Sequence, residues 1–268
     1  MNNVFDFKRF GKYFLFDLRR ARNNYGISLL IIGLMPVMFY LLFQFSSLIS
    51  GNGIIEMPQQ VQIIAIFAGL VAVMLGAGPK IYGRITEKRA GSDYLMLPAS
   101  TLEKWLSMVL IVCVVLPIAL FALLIVSDGI MSLLFPNTYG GRIFEMDFAR
   151  GLIDGIKGGE QDVYFNLPAG LFLNWCEVLL IFTLGAVCFK KAKVAKTLLC
   201  IIGFGMVISP LMLLIFGSTN IDTDWLMEHF SDPDRAVSTL NWTLSILYTV
   251  VLGGLLAGLY FRLRTLKH

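Results

Sequence analysis

Six stretches of this chain are close to twenty residues long and nearly free of charge. A helix needs about 20 apolar residues to cross the ~30 Å hydrocarbon core of a bilayer. The stretches lie at about 27–48, 61–78, 105–126, 167–189, 197–216 and 240–261; the second is the shortest and can continue through Pro79. Composition agrees, because 57% of the 268 residues are hydrophobic and only 15% are charged, against about 25% charged in a soluble domain. Polar groups are too few to cover a water-soluble fold of this size. A secreted disulfide scaffold, a disordered tail and an ordinary cytosolic enzyme are excluded. The expected fold is an all-α polytopic membrane protein, since lipid offers no partners to open backbone groups.

Basic residues set the orientation. With a cytoplasmic N-terminus and alternating spans, 18 of the 22 Lys and Arg fall in the N-terminal arm, loop 79–104, loop 190–196 and the C-terminus. Arg142, Arg150, Lys157 and Arg235 remain outside, whereas 12 of the 18 acidic residues lie in outside loops. Five or seven spans would destroy this asymmetry. Both termini are expected in the cytoplasm, in a multi-pass protein of the inner membrane. The net charge of +4 then faces anionic lipid rather than nucleic acid. No cleavable signal peptide is evident, so the first span is expected to direct insertion. Cys113, Cys176, Cys188 and Cys200 fall in or at the ends of spans without a CxxC pair, which suggests neither a disulfide framework nor a metal site.

Ahead of the first span, residues 1–26 are basic and amphipathic. Phe7, Phe10, Phe14, Leu18, Ala21 and Tyr25 share one stripe at spacings of three and four. Lys8, Arg9, Lys12, Arg19 and Arg20 fall opposite. This pattern predicts a helix lying in the inner interface; the alternative is a plain arm whose cations only set topology. In loop 79–104, Ser100 and Glu103 have capping-box spacing ahead of an apolar run, and Pro98 marks a stop before the restart. Trp105 follows where an interfacial aromatic belongs. The outside loops, 127–166 and 217–239, are acidic and read as a small cap.

Glu177 falls about ten residues into the fourth span, with Asn174 one turn earlier on the same face. An ionisable group at that depth is costly. Three roles stay open: lining a substrate path, relaying protons, or bridging helices as a protonated donor. Pro36, Pro117 and Pro210 predict kinks, and Gly253, Gly254 and Gly258 predict close packing in the last span. Only His229 and His268 occur, no Asp lies deep in a span, and no GxxxxGK[ST] loop is present. Histidine-based catalysis, aspartyl intramembrane proteolysis and nucleotide hydrolysis by this chain therefore lack their parts. Transport, sensing or scaffolding remain, with no catalytic residue expected.

The stretch from Arg84 to Lys104, with Gly91-Ser92-Asp93-Tyr94-Leu95-Met96-Leu97-Pro98-Ala99-Ser100 and Glu103-Lys104, resembles the ABC-2 type permeases, the membrane subunits of type II ABC exporters. Many of these carry an LPxS…EK-like element between the second and third spans, and the aromatic-rich style is similar to the Bacteroidetes group. The resemblance implies that loop 79–104 docks a separate ATPase subunit, which holds ATP and Mg²⁺. Arg84, Glu87, Lys88 and Arg89 would then supply charge pairs and Leu97 and Pro98 an apolar knob. Ser100, Glu103 and Lys104 would pass movement into the third span. It also implies a second permease subunit, identical or related, with cargo passing between the two near Asn174 and Glu177. Two other readings stand beside it: a non-transporting sensor or immunity-type protein, and a proton-coupled carrier using Glu177.

Overall fold

The computed structural model describes residues 5–87, 91, 94, 96–143, 167–218 and 233–265. Within them the secondary structure is entirely helical. The helices are α1 (Phe7–Gly33), α2 (Met35–Ile49), α3 (Gln59–Tyr82), α4 (Thr101–Leu134), α5 (Leu167–Cys188), α6 (Lys193–Ser218) and α7 (Pro233–Thr265). Four of them contain segments long and apolar enough to cross a membrane, and α1 with α2 adds a fifth if the pair is taken as one bent span. In α5 the apolar part, Phe172–Cys188, is shorter. A helical membrane protein is the result.

The helices differ from the expected stretches where local chemistry intervenes. Nothing separates an interfacial helix from a first span near residue 26. Instead α1 runs unbroken from Phe7 to Gly33, and the chain bends by 42° at Leu34. Pro36 explains the position: its nitrogen cannot donate to the Ile32 carbonyl, and its ring crowds that carbonyl. Pro79, by contrast, sits in the last turn of α3, and the helix continues past it to Tyr82 before a 3₁₀ turn, Gly83–Thr86. In α4, Pro117 follows a π turn at Ile111–Val115. The Cys113 carbonyl, which would otherwise receive an N–H at position 117, accepts the Cys176 thiol of α5 at 3.8 Å. Because α4 continues to Leu134, Asp128 belongs to its last turns rather than to a loop. The remainder of the expected outside cap, with Glu145 to Asp162 and most of 217–239, lies outside the described residues.

The core is organised on α3 and α5. Ala65, Gly69, Val73, Ala77 and Ile81 recur every four residues along α3 and are buried. Val73, Ala77 and Ile81 share one buried cluster with Cys176, Leu179 and Leu180 of α5, and Gly69 faces Ile32 and Met35. At Gly78 the α3 and α5 backbones lie close: a Cβ there would sit 2.8 Å from the Thr183 backbone nitrogen and Cα. In the last helix, Gly253 and Gly254 have nothing within 4 Å of such a Cβ, and only Gly258 approaches a neighbour, Leu184. Much of α6 and α7 is apolar and exposed, including Phe204, Met206, Val207, Trp242, Ile246 and Val250. In water that surface would be untenable; in lipid it carries little penalty.

The basic segments meet at one end of the bundle. Lys193, opening α6, donates to the Gly83 carbonyl after α3. Arg262, near the end of α7, donates to the Val187 carbonyl at the end of α5 at 3.3 Å. Trp105 donates to the Leu256 carbonyl at 3.0 Å. The opposite end is tied by other groups. Asp128 is 1% exposed and accepts the Tyr139 hydroxyl at 2.8 Å and the Ile143 N–H at 3.1 Å.

A Gly78→Val replacement is expected to force α3 and α5 apart and to lower stability by about 1–3 kcal/mol, the usual cost of overpacking. Gly253→Ala should be neutral. Thermal unfolding of both variants in the same detergent checks the contrast.

Candidate functional site

The candidate site lies at the basic end, where the start of α1 meets the start of α4. Ser100 caps α4: its hydroxyl accepts the Glu103 N–H at 3.3 Å, while the Glu103 carboxylate accepts the Ser100 N–H at 2.8 Å. This is the reciprocal box that the sequence spacing predicts. The same carboxylate reaches beyond its own helix. It accepts the Asp6 N–H at 3.0 Å and the Arg9 guanidinium through Nε at 2.9 Å and Nη2 at 2.7 Å. Glu103 is 0% exposed, and Arg9 keeps about a third of its surface. Four N–H donors thus converge on one buried carboxylate. Only the ionised acid, with acceptors on both oxygens, satisfies them all.

One turn further into the bundle is a second polar contact. Asp17 of α1 is 2% exposed and accepts the Ser107 hydroxyl of α4 at 2.8 Å and the Tyr82 hydroxyl of α3 at 3.1 Å. Tyr13, Asp17, Ala21 and Tyr25 form the buried stripe of α1. Tyr94, from the loop between α3 and α4, is buried beside Tyr13. Lys104 donates to the Tyr94 carbonyl at 2.8 Å and sits 5.0 Å from its ring centroid, and Arg20 lies 5.9 Å away. These distances suit cation–π contact. The loop is therefore clamped between α1 and α4.

The expected site residues separate accordingly. Arg84 is exposed on the 3₁₀ turn and Glu87 just after it, Pro98 is exposed, Leu97 is half-buried against the main core, and Ser100 is half-buried at the cap. Glu103 and Lys104, the last residues of the expected coupling loop, point inward, because each has backbone or charged partners inside the bundle. Lys88 and Arg89 lie outside the described residues. On the arm, Phe7 is 82% exposed, Phe10 and Phe14 stack at 6.0 Å, and Phe14 and Leu18 lean on the core. The buried stripe is thus rotated from the aromatic one toward Tyr13 and Asp17. In α5, Asn174 is exposed and Glu177 partly exposed; neither has a hydrogen-bond partner among the described residues.

Sequence reasoning missed Asp17, Tyr13, Tyr82, Tyr94 and Ser107. One signal was available for Asp17: it is an acid in a strongly basic arm, four residues from Tyr13 and from Ala21. Arg9 was visible only as one cation among six. Among the described residues, no group of three His, Cys, Asp or Glu comes together in a way that could hold a metal ion. What the arrangement does is mechanical: it joins α1, the loop and α4 into one unit.

Comparison with protein-family models, with curated proteins and with solved structures finds no match to this chain.

Reversing the ion pair as Arg9→Glu with Glu103→Arg should not restore stability, although the opposite charges remain. An arginine at 103 cannot accept the Asp6 and Ser100 N–H groups. Each single variant is expected to be less stable than wild type, because it leaves N–H donors or the buried Glu103 carboxylate without partners. Unfolding of the two single variants and the double variant in detergent checks this; recovery in the double variant would show that charge alone matters.

Proposed function

We propose that this chain is the permease subunit of an ATP-driven exporter of the ABC-2 type. In this reading it has six spans, with α5 and the α1–α2 pair among them, and both termini face the cytoplasm at the inner membrane. A second permease copy or a related chain completes the pathway, and separate ATPase subunits hold ATP and Mg²⁺. Closure of the ATPases would shift the inward-facing and outward-facing populations by binding one of them better.

The observation that carries the proposal is the joint brace at Glu103. A coupling element must present a polar surface to its motor and be tied firmly to the helices it moves. Arg84, Glu87 and Pro98 supply the exposed surface, and Lys88 and Arg89 belong to the same loop. Glu103 then ties the end of that loop to α1 and α4 together. Glu103 and Lys104 act as transmitters behind the surface rather than as contacts on it. Asn174 and Glu177, without partners among the described residues, remain the residues proposed to face cargo.

Mild-detergent purification from the native membrane should recover a stoichiometric partner carrying a nucleotide-binding motif. Arg84→Glu combined with Pro98→Asp should abolish the stimulated ATPase activity of the complex while the chain still inserts. Normal stimulation in that variant would overturn the assignment of the surface. Recovery of the chain alone, where a known ABC complex stays intact, would favour a membrane sensor.

The lone carboxylate of Glu177 favours a second reading, a proton-coupled carrier. Under it, Glu177→Gln should abolish pH-dependent flux in proteoliposomes; under the exporter reading, flux should follow ATP rather than the proton gradient in both proteins.

A further inference from the structure

We propose that the groove between α1 and α4 is a site for one anionic phospholipid, with an acyl chain against the π turn and the phosphate on Arg22. The groove has a volume of about 270 Å³ and continues along α1 into a wider trough of about 580 Å³. Both depressions share Arg22, Gly26 and Leu29. Their origin is local. The π turn at Ile111–Val115 and the small Ala119 leave the α4 side recessed, and Ala21 with Gly26 leaves the α1 side recessed. All the walls are apolar except at the Arg22 end, where Asn23 also borders the trough.

Charge decides the occupant. Arg22 lines the same groove as Ile111 and Val115. These residues begin six positions beyond Trp105, about 9 Å along a helix. In the bilayer frame set by Trp105, the Arg22 stem lies below the interface, where a guanidinium needs an anion or a polar outlet. Among the described residues Arg22 has no acidic partner and no hydrogen bond. No Asp or Glu lines either depression. Arg19 lies one turn toward the N-terminus of α1 on the same exposed face. A zwitterionic lipid would bring a choline or ammonium group to this cationic mouth; an anionic headgroup brings only its complement. The groove receives the chain, Arg22 binds the phosphate, and Arg19 adds long-range attraction. The site depends on the chain lying in a membrane and not on the exporter reading.

Native mass spectrometry after reconstitution in nanodiscs tests it. The nanodiscs would hold phosphatidylglycerol and phosphatidylcholine with the same acyl chains. Wild type is expected to keep one phosphatidylglycerol per chain in preference to phosphatidylcholine. Arg22→Gln should reduce that retention about tenfold, as for one lost charge-assisted contact. Ala119→Trp should displace the lipid by filling the groove with the cations intact. Lys8→Gln, an exposed cation of α1 away from the groove, should change nothing. Equal retention of both lipids, or full retention in Arg22→Gln, would overturn the site. So would a lipid-free dimer that Ala119→Trp converts to monomer, since a second copy would then be the occupant. Should Ala119→Trp fail to fold, the Arg22→Gln comparison still decides.

Discussion

A carboxylate with no solvent exposure must find donors inside the protein, and Glu103 finds them in three places. Its own N-cap supplies one, the backbone before α1 a second, and Arg9 the rest. Removing any one would leave charge or donors unpaired in a low-dielectric site, where the cost is highest. The start of α4, the start of α1 and the end of the connecting loop are therefore held in one arrangement. Asp17, bonded to Ser107 and Tyr82, repeats the device one turn deeper and adds α3. The helices need such links because lipid gives them no hydrophobic drive to associate.

Prolines do the complementary work of opening the structure at chosen points. Pro36 bends the α1–α2 pair, and Pro117 goes with the π turn of α4 and the thiol contact from α5. The recess beside that turn is the groove proposed for lipid. Binding there would touch the same two helices that Glu103 joins, one on each side of Asp17. Lipid composition and loop movement would then act on a common element.

Several features were legible from residue order because they are local. The apolar runs mark the helices, since burial of backbone groups in lipid demands about twenty residues at a time. The Ser100–Glu103 box was legible because both partners lie within one turn. The bend at Leu34 was only partly so: Pro36 announced a kink, but the continuation of α1 through residue 26 did not follow from any breaker. The rotation of the buried stripe was not legible, because aromatic spacing and the Tyr13–Asp17–Ala21–Tyr25 spacing are both helical, and only the neighbours decide which faces inward.

By itself, the sequence determined that this chain is a helical membrane protein with its cations concentrated in alternate segments. It also determined how α4 begins. Those properties depend on hydropathy, charge and contacts within a turn. Only tertiary structure decided that Glu103 and Lys104 are internal, that Arg9 is the ion-pair partner, and that Asp17 is buried. These pairings join residues 94, 90 and 65 positions apart, Arg9 with Glu103 and Asp17 with Ser107 and Tyr82. At such separations, helix packing selects one partner among many cations and hydroxyls of equal intrinsic suitability.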